Sequence, residues 1–92
     1  MGFFYIYVLL SVSTKFIYVG FTSNVRKRLN EHNLKQVPST KYYAPLRLIH
    51  YEAYLNRKDA IRREKYLKTS KGKTTLRTML MEHFQAIGLD KS

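Results

Sequence analysis

The run YVGFTSNVRKRLNEHN, residues 18–33, decides the fold, because it joins a strand to a helix and breaks the usual pattern in both. Its strand half contains Gly20, and glycine weakens a strand unless another group must approach the backbone closely. Ser23 or Asn24 then caps a helix that we expect to end near Asn33. The stretch therefore predicts a strand that leads directly into a helix, with an unusual site between them.

The apolar stripe of this helix is interrupted by ionisable residues. Its i, i+3, i+4 and i+7 positions hold Val25, Arg28, Leu29 and His32. In a later helix, Glu64 occupies the middle of the equivalent stripe. Burying an unpaired guanidinium or carboxylate is costly, so these groups must pair or line a cleft. Both interpretations stay open at this point: an Arg28–Glu64 ion pair between the helices, or a polar site.

Hydrophobic periodicity divides the rest of the chain into short elements. We expect strands at 3–10, 16–22 and 46–53, a loop at 34–45, and helices at about 24–33, 56–68 and 74–88. Residues 69–73, TSKGK, are expected to break the chain before the last helix. The order β-β-α-β-α-α predicts an α/β fold, a three-stranded antiparallel sheet flanked by three helices. Residues 1–92 are expected to form a single domain, although the last two helices also fit a helix-turn-helix.

Composition favours a folded domain with a polyanionic partner. Of the 92 residues, 45% are hydrophobic, while 17 Lys and Arg against 6 Asp and Glu give a formal net charge of +11. Such an excess favours binding to nucleic acid, because each neutralised phosphate releases condensed counterions. A basic surface that serves only solubility is the alternative.

The chain contains no cysteine, which excludes disulfides and thiolate zinc sites. The opening MGFFYIYVLLSVS has the apolar centre of a signal peptide, but it lacks a basic start and its tyrosines favour a strand. No stretch approaches the roughly 20 apolar residues of a membrane span. We therefore expect a cytoplasmic protein with no membrane association.

Strand alternation gathers phenols on one face of the sheet. Tyr5 and Tyr7 share a face of the first strand, and Tyr18 and Gly20 share a face of the second. We expect Gly20 to clear space beside Tyr18; an ordinary aromatic core with a bulge at Gly20 is the alternative. Together with the interrupted stripes, the set contains phenols, an arginine, a histidine and one carboxylate. Hydrolysis of a phosphodiester needs such parts: a base, a cation beside the phosphate and an anionic metal ligand.

These residues also resemble a known family. YIY at 5–7, YVG at 18–20, Arg28, His32 and the distant Glu64 are similar to the GIY-YIG nuclease domain, most closely to its small stand-alone bacterial members. The domain is found in homing endonucleases, in some restriction enzymes and in the nuclease subunit of excision DNA repair. The likeness extends over residues 5–68, with a motif core at about 3–68. It implies an endonuclease, a hydrolase that acts on phosphodiester bonds.

The resemblance also assigns roles. Tyr7 and Tyr18 match the two motif tyrosines, Gly20 the motif glycine, and Arg28 the catalytic arginine. His32 matches the histidine one turn later, and Glu64 matches the metal-binding glutamate. Two departures stand out: Tyr5 replaces the glycine of the family name, and the late asparagine of several members has no counterpart after residue 56.

The expected reaction is hydrolysis of DNA with one Mg²⁺ or Mn²⁺ ion bound by Glu64. Tyr7 is the favoured base, assisted by His32, and the reverse assignment to Tyr18 stays open. Nearby cations are expected to stabilise the phenolate, and Arg28 to stabilise charge on the transferred phosphate. Branched, nicked and single-stranded DNA all remain open as substrates, as do RNA and the oligomeric state.

Basic and aromatic side chains are expected to contact the substrate. They are Arg26, Lys27, Lys35, Lys41, Tyr42, Lys68, Lys71 and Lys73, and Tyr42 and Tyr43 are expected to stack on a splayed base. The main rival is a nucleic-acid-binding module without catalysis. There are two weak alternatives: a nucleotide-binding P-loop at GKT, residues 72–74, and a zinc site built from the histidines.

Overall fold

A three-stranded antiparallel sheet forms the centre of the molecule, of which a computed structural model describes residues 2–89. The middle strand, β1 (Phe4–Ser11), pairs with β2 (Ile17–Thr22) on one side and with β3 (Leu46–Tyr54) on the other. In this register Tyr7 lies directly opposite Gly20. The predicted sheet is confirmed, and β2 is one of its edges.

Helices cover both faces of the sheet. They are α1 (Val25–Asn33), α2 (Arg57–Leu67), α3 (Ser70–Met79) and α4 (Met81–Ala86), with a short 3₁₀ helix at Lys41–Tyr43. On one face, α1 and the 3₁₀ segment pack over Tyr7 and Leu9. On the other face, α2 and α3 pack over Ile6 and Val8 and form the main core. None of the helices within residues 2–89 has the length and hydropathy to cross a membrane.

The first two helices begin where their capping residues predict. The side chain of Asn24 accepts a hydrogen bond from the backbone nitrogen of Lys27, at 3.0 Å. Asn56 accepts one from Lys58, at 2.8 Å. Each amide satisfies a donor that the first turn of a helix leaves unpaired.

The helix expected from Thr74 or Thr75 to about residue 88 begins earlier, at Ser70, and is divided in two, although α4 ends close to Gly88 as expected. Thr69 caps α3 by accepting a hydrogen bond from the backbone nitrogen of Gly72 at 3.0 Å, and Leu80 interrupts the helix before α4. A Cβ at Gly72 would overlap the backbone of Tyr66, so this glycine lets α3 start against the end of α2. GKT therefore lies inside a helix, and both α2 and α3 supply core residues as parts of one layer over the sheet.

Candidate active site

Tyr7 fills the space that Gly20 leaves open. Its side chain projects from the middle strand, and the residue is 1% exposed. A Cβ at Gly20 would overlap the ring and hydroxyl of Tyr7, so only glycine tolerates this contact. The structure thus corrects the expectation that Gly20 clears space beside Tyr18, and the pairing of β1 with β2 passes Gly20 without a bulge.

A chain of buried hydrogen bonds leads from Tyr7 into the loop after α1. The Tyr7 hydroxyl lies 2.8 Å from Nε2 of His32, and Nδ1 of His32 lies 2.6 Å from Oγ1 of Thr40. The Thr40 hydroxyl also faces the carbonyl oxygen of Val37 at 3.5 Å, and a carbonyl only accepts. The network is satisfied when Thr40 donates to that carbonyl, His32 Nδ1–H donates to Thr40, and Tyr7 donates to His32 Nε2.

Burial keeps His32 neutral. The residue is fully buried, and this desolvation lowers the pKa of the imidazole from 6.5, with a further lowering by the positive charge of Arg28. Glu31 opposes the shift. A neutral imidazole with a fixed tautomer can orient a phenol and accept its proton.

Burial has the opposite effect on Tyr7. Desolvation raises the pKa of its phenol to about 12, and the charges of Tyr18 and Glu64 add to the rise. The Arg28 guanidinium lowers the pKa but does not outweigh burial. Arg28 thus stabilises the phenolate as expected, but burial outweighs it and leaves Tyr7 a weaker acid than a free phenol.

Arg28 reaches from α1 toward Tyr7 and remains open to solvent. One of its terminal nitrogens lies 3.0 Å from Oε1 of Glu31, and the guanidinium also approaches the Tyr7 hydroxyl closely enough to favour the phenolate. Glu31 first, and then Tyr7, raise the pKa of Arg28 above its usual value. The Arg28 side chain is 38% exposed, so an anion from solution can reach this cation.

Glu64 approaches the same place from the other side of the sheet. Its carboxylate lies 3.1 Å from Nζ of Lys68, and this Lys68 ammonium lies 5.8 Å from the ring centroid of Tyr18. The Arg28–Glu64 ion pair considered as an alternative is wrong, because Arg28 pairs with Glu31 and Glu64 pairs with Lys68. No bridge between α1 and α2 neutralises either group.

Tyr18 stands between these groups on the edge strand. Its ring centroid is 5.1 Å from that of His32 and 6.2 Å from that of Tyr7. Unlike Tyr7, it is only half-buried. The structure therefore brings five predicted side chains together at the β2 edge: Tyr7, Tyr18, Arg28, His32 and Glu64.

A divalent metal fits this cluster through one carboxylate. Mg²⁺ keeps several waters and takes its remaining ligands from one or two carboxylates and the substrate phosphate. The Glu64 side chain is 19% exposed, and residues 2–89 contain no group of three potential metal-ligating side chains, so Glu64 would need water and substrate to complete the coordination. Histidines were among the side chains considered, so the zinc site proposed as a weak alternative also lacks a group of three ligands within residues 2–89.

The predicted DNA-contacting residues lie on two surfaces. Arg26, Lys27, Lys35 and Lys41 are exposed on and after α1, and Tyr42 is 83% exposed beneath the ammonium of Lys41. Lys68, Lys71 and Lys73 are exposed where α2 meets α3. Tyr43 is not available to stack on a base, because it already stacks on Phe16 with ring centroids 3.8 Å apart.

Several polar contacts were not predicted from the sequence. Thr40 is fully buried against His32, and Glu31 pairs with Arg28. His50 on β3 lies within hydrogen-bond distance of Glu52, at 2.9 Å. The spacing of Glu31 three residues after Arg28 was a usable signal for their pairing. Thr40 carried no such signal, because its partner His32 lies on another element.

Known proteins match this chain over most of its length. The family model described as the GIY-YIG catalytic domain matches residues 3–78. A UPF0213 protein of Streptococcus agalactiae is 34% identical over 86% of this chain and 89% of its own length. A UPF0213 protein of Haloquadratum walsbyi is 32% identical over 71% of this chain and 73% of its own.

A solved structure agrees with these matches. The solution NMR structure of a UPF0213 protein from Bacillus halodurans superimposes with a TM-score of 0.53 and 25% identity, covering 84% of each chain. The motif tyrosines, Gly20, Arg28 and Glu64 all lie within the matched range. The chain therefore belongs to the GIY-YIG family, among small proteins that resemble the UPF0213 group.

Proposed function

We propose that this protein is a metal-dependent endonuclease that hydrolyses phosphodiester bonds of DNA. One observation carries the proposal: side chains from β1, β2, α1 and α2 converge at one sheet edge, although Arg28 and Glu64 are not paired with each other. A structural ion pair would explain a single buried charge. It does not explain an accessible guanidinium and an acid beside two phenols.

Exposure separates the roles of the two tyrosines. A base must touch the attacking water, and Tyr18 is half-buried whereas Tyr7 is 1% exposed and hydrogen-bonded to His32. We therefore assign the base to Tyr18, whose phenolate takes a proton from water and releases hydroxide to attack the phosphorus. The Lys68 ammonium lies 5.8 Å from the centroid of the Tyr18 ring, beside the place where the substrate phosphate would sit.

Tyr7 and His32 then serve as positioning residues. They pack against Tyr18 from the sheet interior and present a rigid, fully hydrogen-bonded surface behind it. Their neutrality matters, because a charged group buried here would repel or attract the substrate phosphate. Fixed supporting groups keep the reacting side chain within the narrow geometry that catalysis needs.

Arg28 and Glu64 act on the phosphate itself. The planar guanidinium of Arg28 donates to two phosphate oxygens and stabilises the charge that develops during attack, while Glu31 holds it in place. Glu64 would hold Mg²⁺ or Mn²⁺, which supplies Lewis-acid stabilisation of the phosphate and of the departing 3′ oxygen.

A nicking assay tests the proposal. Supercoiled plasmid is incubated in Mg²⁺ with wild type, Arg28→Ala, Glu64→Gln and, as a matched control, Arg62→Ala. Arg62 forms an i, i+3 ion pair with Asp59 on the outer side of α2, which copies the Arg28–Glu31 spacing away from the site. We expect losses of about 100-fold or more for the two site variants and wild-type cleavage for the control.

Equal melting temperatures establish that the variants are compared at matched folding. Cleavage that is unchanged in Arg28→Ala and Glu64→Gln would refute the site. Tight DNA binding without cleavage by wild type in Mg²⁺ or Mn²⁺ would instead support the rival, a binding module whose cations serve affinity alone.

A further inference from the structure

A basic groove continues from the catalytic cluster along the α2–α3 side of the sheet. It has a volume of about 380 Å³ and lies between β2 and the helical layer. Its charged lining residues are Lys15, Lys68, Lys73 and Arg77, and none of the described residues that line it is acidic. Tyr18 lines the same groove, so groove and cluster share a side chain.

The cations of the groove are free to meet an anion. Within residues 2–89, no ion pair is formed by Lys15, Lys73 or Arg77, whereas Lys68 forms an ion pair with Glu64. The floor is apolar and includes the buried side chains of the main core. A cleft with one sign of charge and low-dielectric walls concentrates its field and attracts a polyanion.

The position of these cations is fixed by packing. Gly72 lets α3 start in contact with the end of α2, and Leu76 anchors the next turn of α3 in the core. Lys73 and Arg77 are four residues apart, so they project from the same side of α3. Their charges are therefore held one helical turn apart on a rigid wall.

We propose that this groove binds backbone phosphates of the DNA strand next to the phosphate that is cut, which rests on the function proposed above. A strand whose scissile phosphate lies between Tyr18 and Arg28 continues past Lys68 to Lys73 and Arg77. Phosphate contacts of this kind set register and affinity and read no sequence. One of these cations, Lys15, was not among the DNA contacts predicted from the sequence.

The test compares two double variants with the same loss of charge. Lys73→Gln/Arg77→Gln removes a lysine and an arginine four residues apart in the groove. Lys58→Gln/Arg62→Gln removes the same pair, at the same spacing, from the exposed side of α2. Binding of fluorescent DNA is measured by anisotropy in EDTA over a series of salt concentrations, so that no cleavage occurs.

Loss of two phosphate contacts should make the negative slope of log K against log salt shallower by about 1.4 to 1.8 in the groove variant, or about 0.7 to 0.9 for each contact. The control variant should keep nearly the wild-type slope. In Mg²⁺, the groove variant should show a raised KM and a retained kcat. Equal slopes for the two variants, at equal melting temperatures, would overturn the proposal.

The two proposals fail separately. If wild type cleaves DNA while the groove variant matches its control in slope and KM, the groove assignment fails and the nuclease stands. If neither wild type nor any variant cleaves DNA, but the groove variant alone shows a weaker salt dependence of binding, the nuclease proposal fails. The groove is then a DNA-binding surface without catalysis.

Discussion

A buried hydrogen-bonded chain of Tyr7, His32 and Thr40 forms the floor of the candidate site. The three side chains are buried and joined by hydrogen bonds of 2.8 and 2.6 Å. Because Thr40 accepts from Nδ1–H of His32, the imidazole presents a bare Nε2 to the Tyr7 hydroxyl. One loop residue thereby sets the tautomer of a histidine that is fully buried.

Replacing Thr40 should remove the preference of His32 for a single tautomer. Thr40→Val keeps the shape but leaves His32 Nδ1 without a partner, at a cost of about 1–3 kcal/mol for the buried polar group. We expect the ¹⁵N shifts of the His32 ring to move toward a mixture of tautomers. Nuclear magnetic resonance of ¹⁵N-histidine-labelled protein measures this.

Thr40→Ser is the matched control, since it retains the hydroxyl. It should keep the wild-type ¹⁵N pattern while losing one methyl group from the core. An unchanged pattern in Thr40→Val would contradict the network, whatever happens to stability.

The sequence was informative about which residues form the site and silent about their protonation. Alternation and the interrupted stripe were enough to single out Tyr7, Tyr18, Arg28 and His32. The rise in the pKa of Tyr7 depends on how completely the fold excludes water, which a pattern of residue types does not encode. Thr40 was missed because its contact with His32 depends on the path of an irregular loop.

Between elements, a bidentate ion pair joins β3 to α2. Arg63 donates from Nε and a terminal nitrogen to both oxygens of Glu52, at 2.9 and 3.1 Å. His50 and Tyr54 complete the cluster at 2.9 and 2.6 Å. Burial acts to raise the pKa of Glu52, but the hydrogen bonds from Arg63, His50 and Tyr54 lower it to about 2. This cluster fixes the helix that carries Glu64.

The Glu52 cluster predicts a specific acid sensitivity. The pKa is about 2 in the folded state and 4.5 in the reference state, so the unfolded chain binds more protons between these values. Stability from Glu52 is therefore complete above pH 4.5 and is lost as the pH falls toward 2. We expect a contribution on the order of 2 kcal/mol, measured by urea unfolding from pH 7 to pH 2.5.

Glu52→Gln should be less stable than wild type at pH 7 and should lose less stability on acidification. Glu82→Gln, an exposed substitution in the first turn of α4, is the control and should follow wild type. A Glu52→Gln profile parallel to wild type below pH 4.5 would contradict the assignment.

The start of a helix was predictable where a side chain caps it and no backbone of another helix packs closely against it. Asn24 and Asn56 were identified because an amide before an amphipathic run is a strong start signal. The start of α3 was missed because Gly72 and its lysine neighbours look like a break in the helix. Gly72 is needed there to admit the backbone of α2, a requirement that becomes visible only when the two helices are packed.

The whole molecule places its site where two layers meet around a strand edge. With strand order β2-β1-β3, α1 packs on one face and α2 on the other, so Arg28 and Glu64 arrive from opposite sides. The sequence indicated the family, the sheet and the separate side chains of the candidate site. Their meeting point follows from tertiary topology, as does the basic groove that shares Tyr18 with them.

The central claim is that Arg28 and Glu64, which do not pair with each other, act as one catalytic unit, and a double-variant cycle tests it directly. Single-turnover cleavage of labelled DNA in Mg²⁺ is compared for wild type, Arg28→Ala, Glu64→Gln and the double variant. Groups that act together in one transition state give strongly non-additive losses. We predict that the double variant is barely slower than the slower single variant; losses that multiply independently, or a wild type that leaves DNA intact, would contradict the account.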